Sequence, residues 1–318
     1  TEHYQSFIKK EDFKVIASWG CDHVRLPVDY QVVQNPDGSF IPEGFTYIQN
    51  AIDWAEDNNL NLILDLHKTL GYAFDESVGK NCFFSDISLH QHFYNLWEEF
   101  SNRFAKYHQR VAFELLNEVT SPSYSDTWNK IIANTIAIIR KISKDVKILV
   151  GGYWNNSIDA LKDLDKPADE NIVYNFHCYD PLLFTHQSAY WVKGMPHDFK
   201  LEYPSTFKKH NDAAKELNLT DFVVYCDDEN NKFDKDYFIK KFSNGIKVCK
   251  ERNVPLYCGE YGVIDNANAE DALKWYKDIN AAFVELGIGR ACWSYKSMSF
   301  GLIDEHMKDV LPELIKYL

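Results

Sequence analysis

No two cysteines in the sequence are spaced as CxxC. The seven present are Cys21, Cys82, Cys178, Cys226, Cys249, Cys258 and Cys292, an odd number scattered along the chain. That pattern gives neither a zinc site nor a disulfide framework. Cys178, Cys258 and Cys292 sit in apolar runs, where buried free thiols are common. No apolar run is long enough to span a bilayer, and no segment has the form of a signal peptide. The chain opens on TEHYQSF without Met, so location stays undetermined, and extracellular and cytoplasmic action both remain open. Positive charge is scarce: 34 Lys and Arg stand against 47 Asp and Glu, a net charge of −13. A nucleic-acid or anionic-membrane partner is therefore disfavoured, while neutral ligands are not. There is no GxGxxG and no P-loop, so nothing here cradles a dinucleotide or nucleotide phosphate. Internal repeats and low-complexity linkers are also missing.

What the sequence does have is ordinary globular bulk and many aromatics. Hydrophobic residues make up 45% and aromatic residues 15%, with 8 Trp and 19 Tyr among 318 residues. That length suits one large α/β domain, read here as 1–318. Extra aromatics serve either as core or as flat faces for a ligand.

Short β-rich runs alternate with helical patterns. The strand candidates are HVRLPV (23–28), LNLILDLH (60–67), VAFELLN (111–117), KILVGG (147–152), IVYNFHCY (172–179), PLYCGEYG (255–262) and RACWSYK (290–296). Most are continuous apolar runs, as expected of parallel strands covered on both faces. Between them lie amphipathic helices such as HQHFYNLWEEFSNRFAKYH, with Phe93, Leu96, Trp97, Phe100 and Phe104 on one stripe. Repeated βα units imply right-handed crossovers and a parallel sheet. Polar residues end many of the strands, and in a closed (β/α)8 barrel all those ends meet at one face. The expectation is therefore a (β/α)8 TIM barrel. Residues 180–235 break the rhythm and read as a mostly helical or irregular insertion after strand six, with one helix near 205–217.

The strand ends carry Arg25, His67, Asn117 with Glu118, His177 with Tyr179, Glu260 and Trp293. Singly, each has a plain structural explanation: an ion pair, a satisfied histidine, a turn, a core tryptophan. Together they do not, because a barrel core has no use for two uncompensated carboxylates at one end. A pair of facing carboxyls is what glycoside hydrolysis requires, one protonated as acid and one ionised as nucleophile or base. Their mutual repulsion separates the two pKa values. In that reading Arg25 keeps one carboxylate ionised, and His177 and Tyr179 donate hydrogen bonds to it. Asn117 suits a sugar 2-hydroxyl and Trp293 a pyranose face.

The ordered set HVRLP, LDLH, LLNE, NFHCY, CGEYG and ACWSYK resembles glycoside hydrolase family 5, a family of the clan A (β/α)8 glycosidases. Within it the chain resembles clostridial endoglucanases of the C type, which carry a helical insertion after strand six. The resemblance runs from residue 1 to about residue 300. It implies that Glu118 is the acid/base and Glu260 the nucleophile, with Arg25, His67, Asn117, His177, Tyr179 and Trp293 completing the site. It implies a retaining endo-acting cellulase that cleaves β-1,4-glucosidic bonds in cellulose or mixed-linkage β-glucan, with no metal and no cofactor. The expected partner is the polysaccharide or oligosaccharide substrate, and the expected state is a monomer. Alternatives on the same scaffold are a β-mannanase, a xyloglucanase, a β-1,3-glucanase or a catalytically silent carbohydrate-binding barrel.

Tyr72, Phe74, Trp154, Tyr190 and Trp191 are further candidates for stacking on sugar. Lys68 departs from the family pattern. So does the start: relatives open on a strand like GINLGGW, which is lacking here. The expectation is seven strands, with an opening of about 9–10 Å between HVRLPV and RACWSYK where paired neighbours would stand ~4.8 Å apart.

Overall fold

The computed structural model describes residues 2–75 and 81–318. Two short helices, α1 (Glu2–Ser6) and α2 (Lys10–Ser18), precede the first strand. Then follow β1 (His23–Asp29), α3 (Pro42–Asp57), β2 (Asn61–Lys68), α4 (Ile87–Phe104), β3 (Val111–Glu114), α5 (Ser125–Ile142) and β4 (Ile148–Gly151). A one-turn element, α6 (Tyr153–Asn156), leads to β5 (Ile172–Cys178). The chain continues through α7 (Leu182–Thr185), α8 (Phe207–Glu216), α9 (Lys235–Arg252), β6 (Leu256–Tyr261), α10 (Ala269–Leu286), β7 (Gly289–Arg290) and α11 (Leu311–Leu314). The strands form one seven-stranded sheet in sequence order, and the pairs from β1 to β5 are parallel. Strands in sequence order with helices between them fit a (β/α)8 barrel.

The chain divides into two compact units. One comprises Thr1–Phe176 with Gly245–Tyr257, the other His177–Asn244 with Cys258–Leu318.

In the first unit, β2 is buried on both faces, as its mostly apolar run anticipates: Leu62, Ile63, Leu64 and Leu66 are all core. Asp86 caps α4 by accepting from the Ser88 amide. The α4 stripe of Phe93, Leu96, Trp97, Phe100 and Phe104 is buried as the spacing predicts. Burying each such side chain is worth about 1.5–3 kcal/mol, and that packing fixes a helix that would not persist alone. Two tryptophans then tie helices to strand ends. Trp97 Nε1 donates to Leu115 O at 3.1 Å, and Trp128 Nε1, on α5, donates to Gly151 O at 2.9 Å.

In the second unit, α10 is capped by Asn268 and closed by Gly287, whose φ of 66° suits a residue without a side chain. Its buried face holds the strand end beside it. Tyr276 Oη accepts from the Val263 amide at 3.2 Å, and Trp275 Nε1 donates to Asp180 O at 2.8 Å. Within 180–235, α8 begins at Thr206, which caps the Lys209 amide at 3.1 Å, close to the expected helix.

Two strands are shorter than the sequence suggests. β3 stops at Glu114 because the next amides turn to opposite neighbours: Leu115 N bonds Leu149 O, whereas Asn117 N bonds Leu66 O. β7 covers only Gly289–Arg290. Ala291 N still bonds Cys258 O and Trp293 N bonds Tyr261 O, but this advances three residues on one strand for two on the other. A regular ladder cannot continue through that slip.

Candidate active site

Asp65 and Glu114 are register partners on β2 and β3. An apolar strand pair cannot hold two carboxylates without compensation, and Arg25 from β1 supplies it. Its Nε donates to Glu114 Oε2 at 2.6 Å and its Nη2 to Glu114 Oε1 at 2.8 Å. Nη2 also lies 3.0 Å from Asp65 Oδ2 and donates to Asn117 Oδ1 at 2.9 Å. Asn175 Nδ2, on β5, adds a 2.9 Å bond to Glu114 Oε1. Asp65 in turn orients His67, whose Nδ1 is 2.7 Å away. Arg25, His67 and Asn117 are therefore brought together. Arg25 holds Glu114 and Asp65 directly and reaches Asn117 through the remaining fork. The Asn117 amide nitrogen, buried next to Glu118, has no hydrogen-bond partner among the described residues.

Glu118 follows where β3 has lost its pairing, with a φ of 44° and 8% exposure. Its backbone is clamped by Tyr72, whose hydroxyl donates to Glu118 O at 2.7 Å and accepts from the Thr120 amide at 2.9 Å. Its carboxylate accepts from Asn155 Nδ2 at 3.0 Å at Oε2. Tyr72 is fully buried, so its face is closed to sugar and the stacking expectation fails for it. Burial pushes its phenol up to about 12, against the opposing hydrogen bonds from Thr120, so the hydroxyl remains a donor. Trp154, 55% exposed, keeps an open face. Lys68 pairs with Asp75 at 2.8 Å, beside the Phe74 ring. Asp29, at the end of β1, is pushed up by burial, with His67 and Lys68 acting against that.

In the second unit, Glu260 is the penultimate residue of β6 and is 5% exposed. Tyr179 Oη donates to Glu260 Oε2 at 2.8 Å, and His177 Nδ1 lies 3.7 Å from the same oxygen. Tyr179 and Trp293 both pack on Ala189, Ile264 and Phe300. Gly262 lets Trp293 come close, since a Cβ there would sit 2.2 Å from Trp293 O. His186 packs edge-on against Tyr179 and Phe300 with ring centroids 5.2 and 5.5 Å apart. Burial pulls the His186 imidazole down to about 4, opposed by Asp180. Tyr190 and Trp191 stay exposed. Thus His177, Tyr179 and Glu260 are brought together, and Trp293 packs on the same apolar cluster as Tyr179.

Sequence reasoning missed Asp65, Glu114, Asn175 and Asn155. The first three are single polar residues inside apolar strands, and that interruption was the available signal. Among the described residues, neither unit taken by itself gathers three His, Cys, Asp or Glu side chains tightly enough to hold a metal ion.

The family model described as Cellulase (glycosyl hydrolase family 5) matches residues 1–299. Cellodextrinase A of Ruminococcus flavefaciens is 40% identical over 291 residues, covering 92% of this chain and 79% of that protein. Endoglucanase C of Acetivibrio thermocellus is 36% identical over 320 residues, covering 100% of this chain and 92% of that protein. Among solved structures, the clostridial cellulose synthase subunit Z of Clostridioides difficile superposes with a TM-score of 0.77 at 28% identity. The match covers 97% of this chain and 92% of that one. An endoglucanase from Thermotoga maritima, at 23% identity and a TM-score of 0.75, shares the fold over 96% of this chain and 90% of its own.

Proposed function

Because the chain belongs to glycosyl hydrolase family 5, we propose that it cleaves internal β-1,4-glucosidic bonds of β-glucans by double displacement. Glycoside hydrolase activity on β-glucans follows from the family and from relatives named endoglucanase and cellodextrinase. The linkage, the endo action and the retaining course are our reading. The observation that carries it is the Tyr179–Glu260 hydrogen bond, a phenol donating to a buried strand-end carboxylate. A donor of that kind favours the ionised form, which a nucleophile needs.

In the first step a Glu260 oxygen attacks the anomeric carbon as the glycosidic C–O bond breaks, and Glu118 gives its proton to the leaving oxygen. In the second, Glu118 takes a proton from water. That water attacks the anomeric carbon and expels Glu260 as carboxylate. The Asn117 amide nitrogen, without a hydrogen-bond partner among the described residues, is suited to the sugar 2-hydroxyl. Arg25 and His67 hold that asparagine and its surroundings in place, and Trp293 offers a flat apolar face for the pyranose.

The test is hydrolysis of mixed-linkage β-glucan, carboxymethyl-cellulose, mannan and xylan, followed by reducing sugar and viscosity together. A fast fall in β-glucan viscosity per bond cut supports endo action. Mannan or xylan as the preferred polymer contradicts the glucan assignment. A second reading, short cellodextrins as the main substrate, is favoured by the cellodextrinase at 40% identity. It predicts high kcat/KM on cellotetraose with little loss of polymer viscosity.

A further inference from the structure

The turn after β4 is built against ordinary backbone preference. Trp154, Asn155 and Asn156 have φ of 50°, 55° and 57° in succession. Asparagine tolerates that left-handed region, but tryptophan does not adopt it readily. Strained backbone of this kind persists only where its surroundings over-determine it, and it clusters at functional sites. Here the surroundings are the residues that follow Glu118. The Trp154 amide donates to Thr120 O at 3.2 Å and the Asn155 amide to Val119 O at 3.0 Å. Asn156 packs against Gly151, where a Cβ would come within 2.3 Å of its Oδ1. The turn is thereby pinned along the segment that sets Glu118, and it delivers Asn155 Nδ2 to Glu118 Oε2 at 3.0 Å.

We infer that Asn155 is a positioning residue that fixes which Glu118 oxygen carries the catalytic proton. The inference rests on the reading of Glu118 as acid/base. A carbonyl oxygen accepts an amide N–H better than a carboxylic hydroxyl oxygen does, so the bond at Oε2 favours that oxygen as the carbonyl of the neutral acid. The proton of the neutral acid then resides on Oε1, and Oε1 gives it to the leaving oxygen and later takes one from water. Tyr72 faces Glu118 from the same unit through the main chain, Arg25 connects to it through Asn117, and the catalytic reading adds Glu260 and His177. Those groups are common to wild type and variants, so a difference between them reports on Asn155.

The experiment compares Asn155→Gly, which keeps left-handed backbone and loses the donor, with Asn155→Asp, which keeps the shape and sets an acceptor against Glu118. Glu118→Gln is measured alongside. On β-glucan, Asn155→Gly should lose about ten- to a hundredfold in kcat with KM little changed, the worth of a hydrogen bond to a charged group. On a 2,4-dinitrophenyl cellobioside, whose leaving group needs no proton, kcat/KM should stay within about threefold of wild type for both. Equal losses on both substrates, or Asn155 variants like wild type while Glu118→Gln fails on polymer alone, would overturn the inference and leave the acid/base reading standing. A Glu118→Gln enzyme active on polymer would overturn the acid/base reading itself, and the inference with it.

Discussion

Arg25 and Glu114 form a two-point fork across the first unit, with nitrogen–oxygen distances of 2.6 and 2.8 Å and side-chain exposures of 4% and 1%. The geometry is bidentate, the arrangement in which arginine and carboxylate hold each other's orientation as well as charge. Through it Asn117 is aimed and, by way of Asp65, His67.

Glu114→Ala should therefore be costly although Glu114 takes no direct part in the proposed chemistry. It leaves Arg25 buried beside a cavity with one of its carboxylate partners removed, a change worth about 3–5 kcal/mol of stability. The urea midpoint measures it. Breaking the exposed Lys240–Asp227 pair by Lys240→Ala should leave that midpoint unmoved, since such surface pairs are screened by water and salt. Equal shifts for the two variants would refute the burial argument.

His186 gives the fold an acid sensitivity. Its imidazole is held down to about 4 by burial, against an ordinary value of 6.5. The unfolded chain therefore binds a proton that the folded chain refuses between those limits. The stability from a neutral His186 is fully present above pH 6.5 and is lost as pH falls toward 4. The slope from this one site is at most ~1.4 kcal/mol per pH unit. His186→Phe should flatten the fall of the denaturation midpoint between pH 6.5 and 4 relative to wild type. Parallel curves would show that His186 contributes nothing to it.

Gly262→Ala should disturb Trp293 specifically. The new methyl would meet Trp293 O at 2.2 Å, main chain that cannot rotate away. Overpacking of this sort costs about 1–3 kcal/mol. The proposed role of Trp293 makes KM rise as well, so kinetics on cellotetraose and a thermal melt should both change.

The two glutamates should fail differently. Glu118→Ala should lose polymer hydrolysis while retaining much of the bond cleavage on activated aryl cellobiosides. Glu260→Ala should lose more than ~10⁴-fold on both, because no covalent intermediate forms. A Glu260→Ala enzyme that still turns over aryl glycosides well would reverse the assignment.

The strand positions were legible because buried parallel strands write themselves as mostly apolar runs, and the strand-end Asn117, Glu118, His177 and Glu260 stood out as polar punctuation. The support beneath them was not legible. Glu114 meets Arg25 across 89 residues of sequence, a contact no periodicity records. The left-handed backbone of Glu118 and Asn155 belongs to loop geometry, for which the Asn-Asn of YWNNS was the one available turn signal. Tyr72 was misread because its aromatic ring suggested a ligand face, whereas its hydroxyl clamps the Glu118 main chain. The strand expected at 290–296 was overcalled because β propensity could not reveal the register slip against β6.

The most direct test of the account is to trap the intermediate. The enzyme is incubated with 2,4-dinitrophenyl 2-deoxy-2-fluoro-β-cellobioside, whose first step is fast and second step slow, and intact protein and peptides are weighed. The account predicts one added fluorocellobiosyl unit per chain, carried on Glu260 and abolished by Glu260→Ala. Full turnover of an ordinary aryl cellobioside with no adduct after inactivator treatment, or an adduct on another residue, would contradict it.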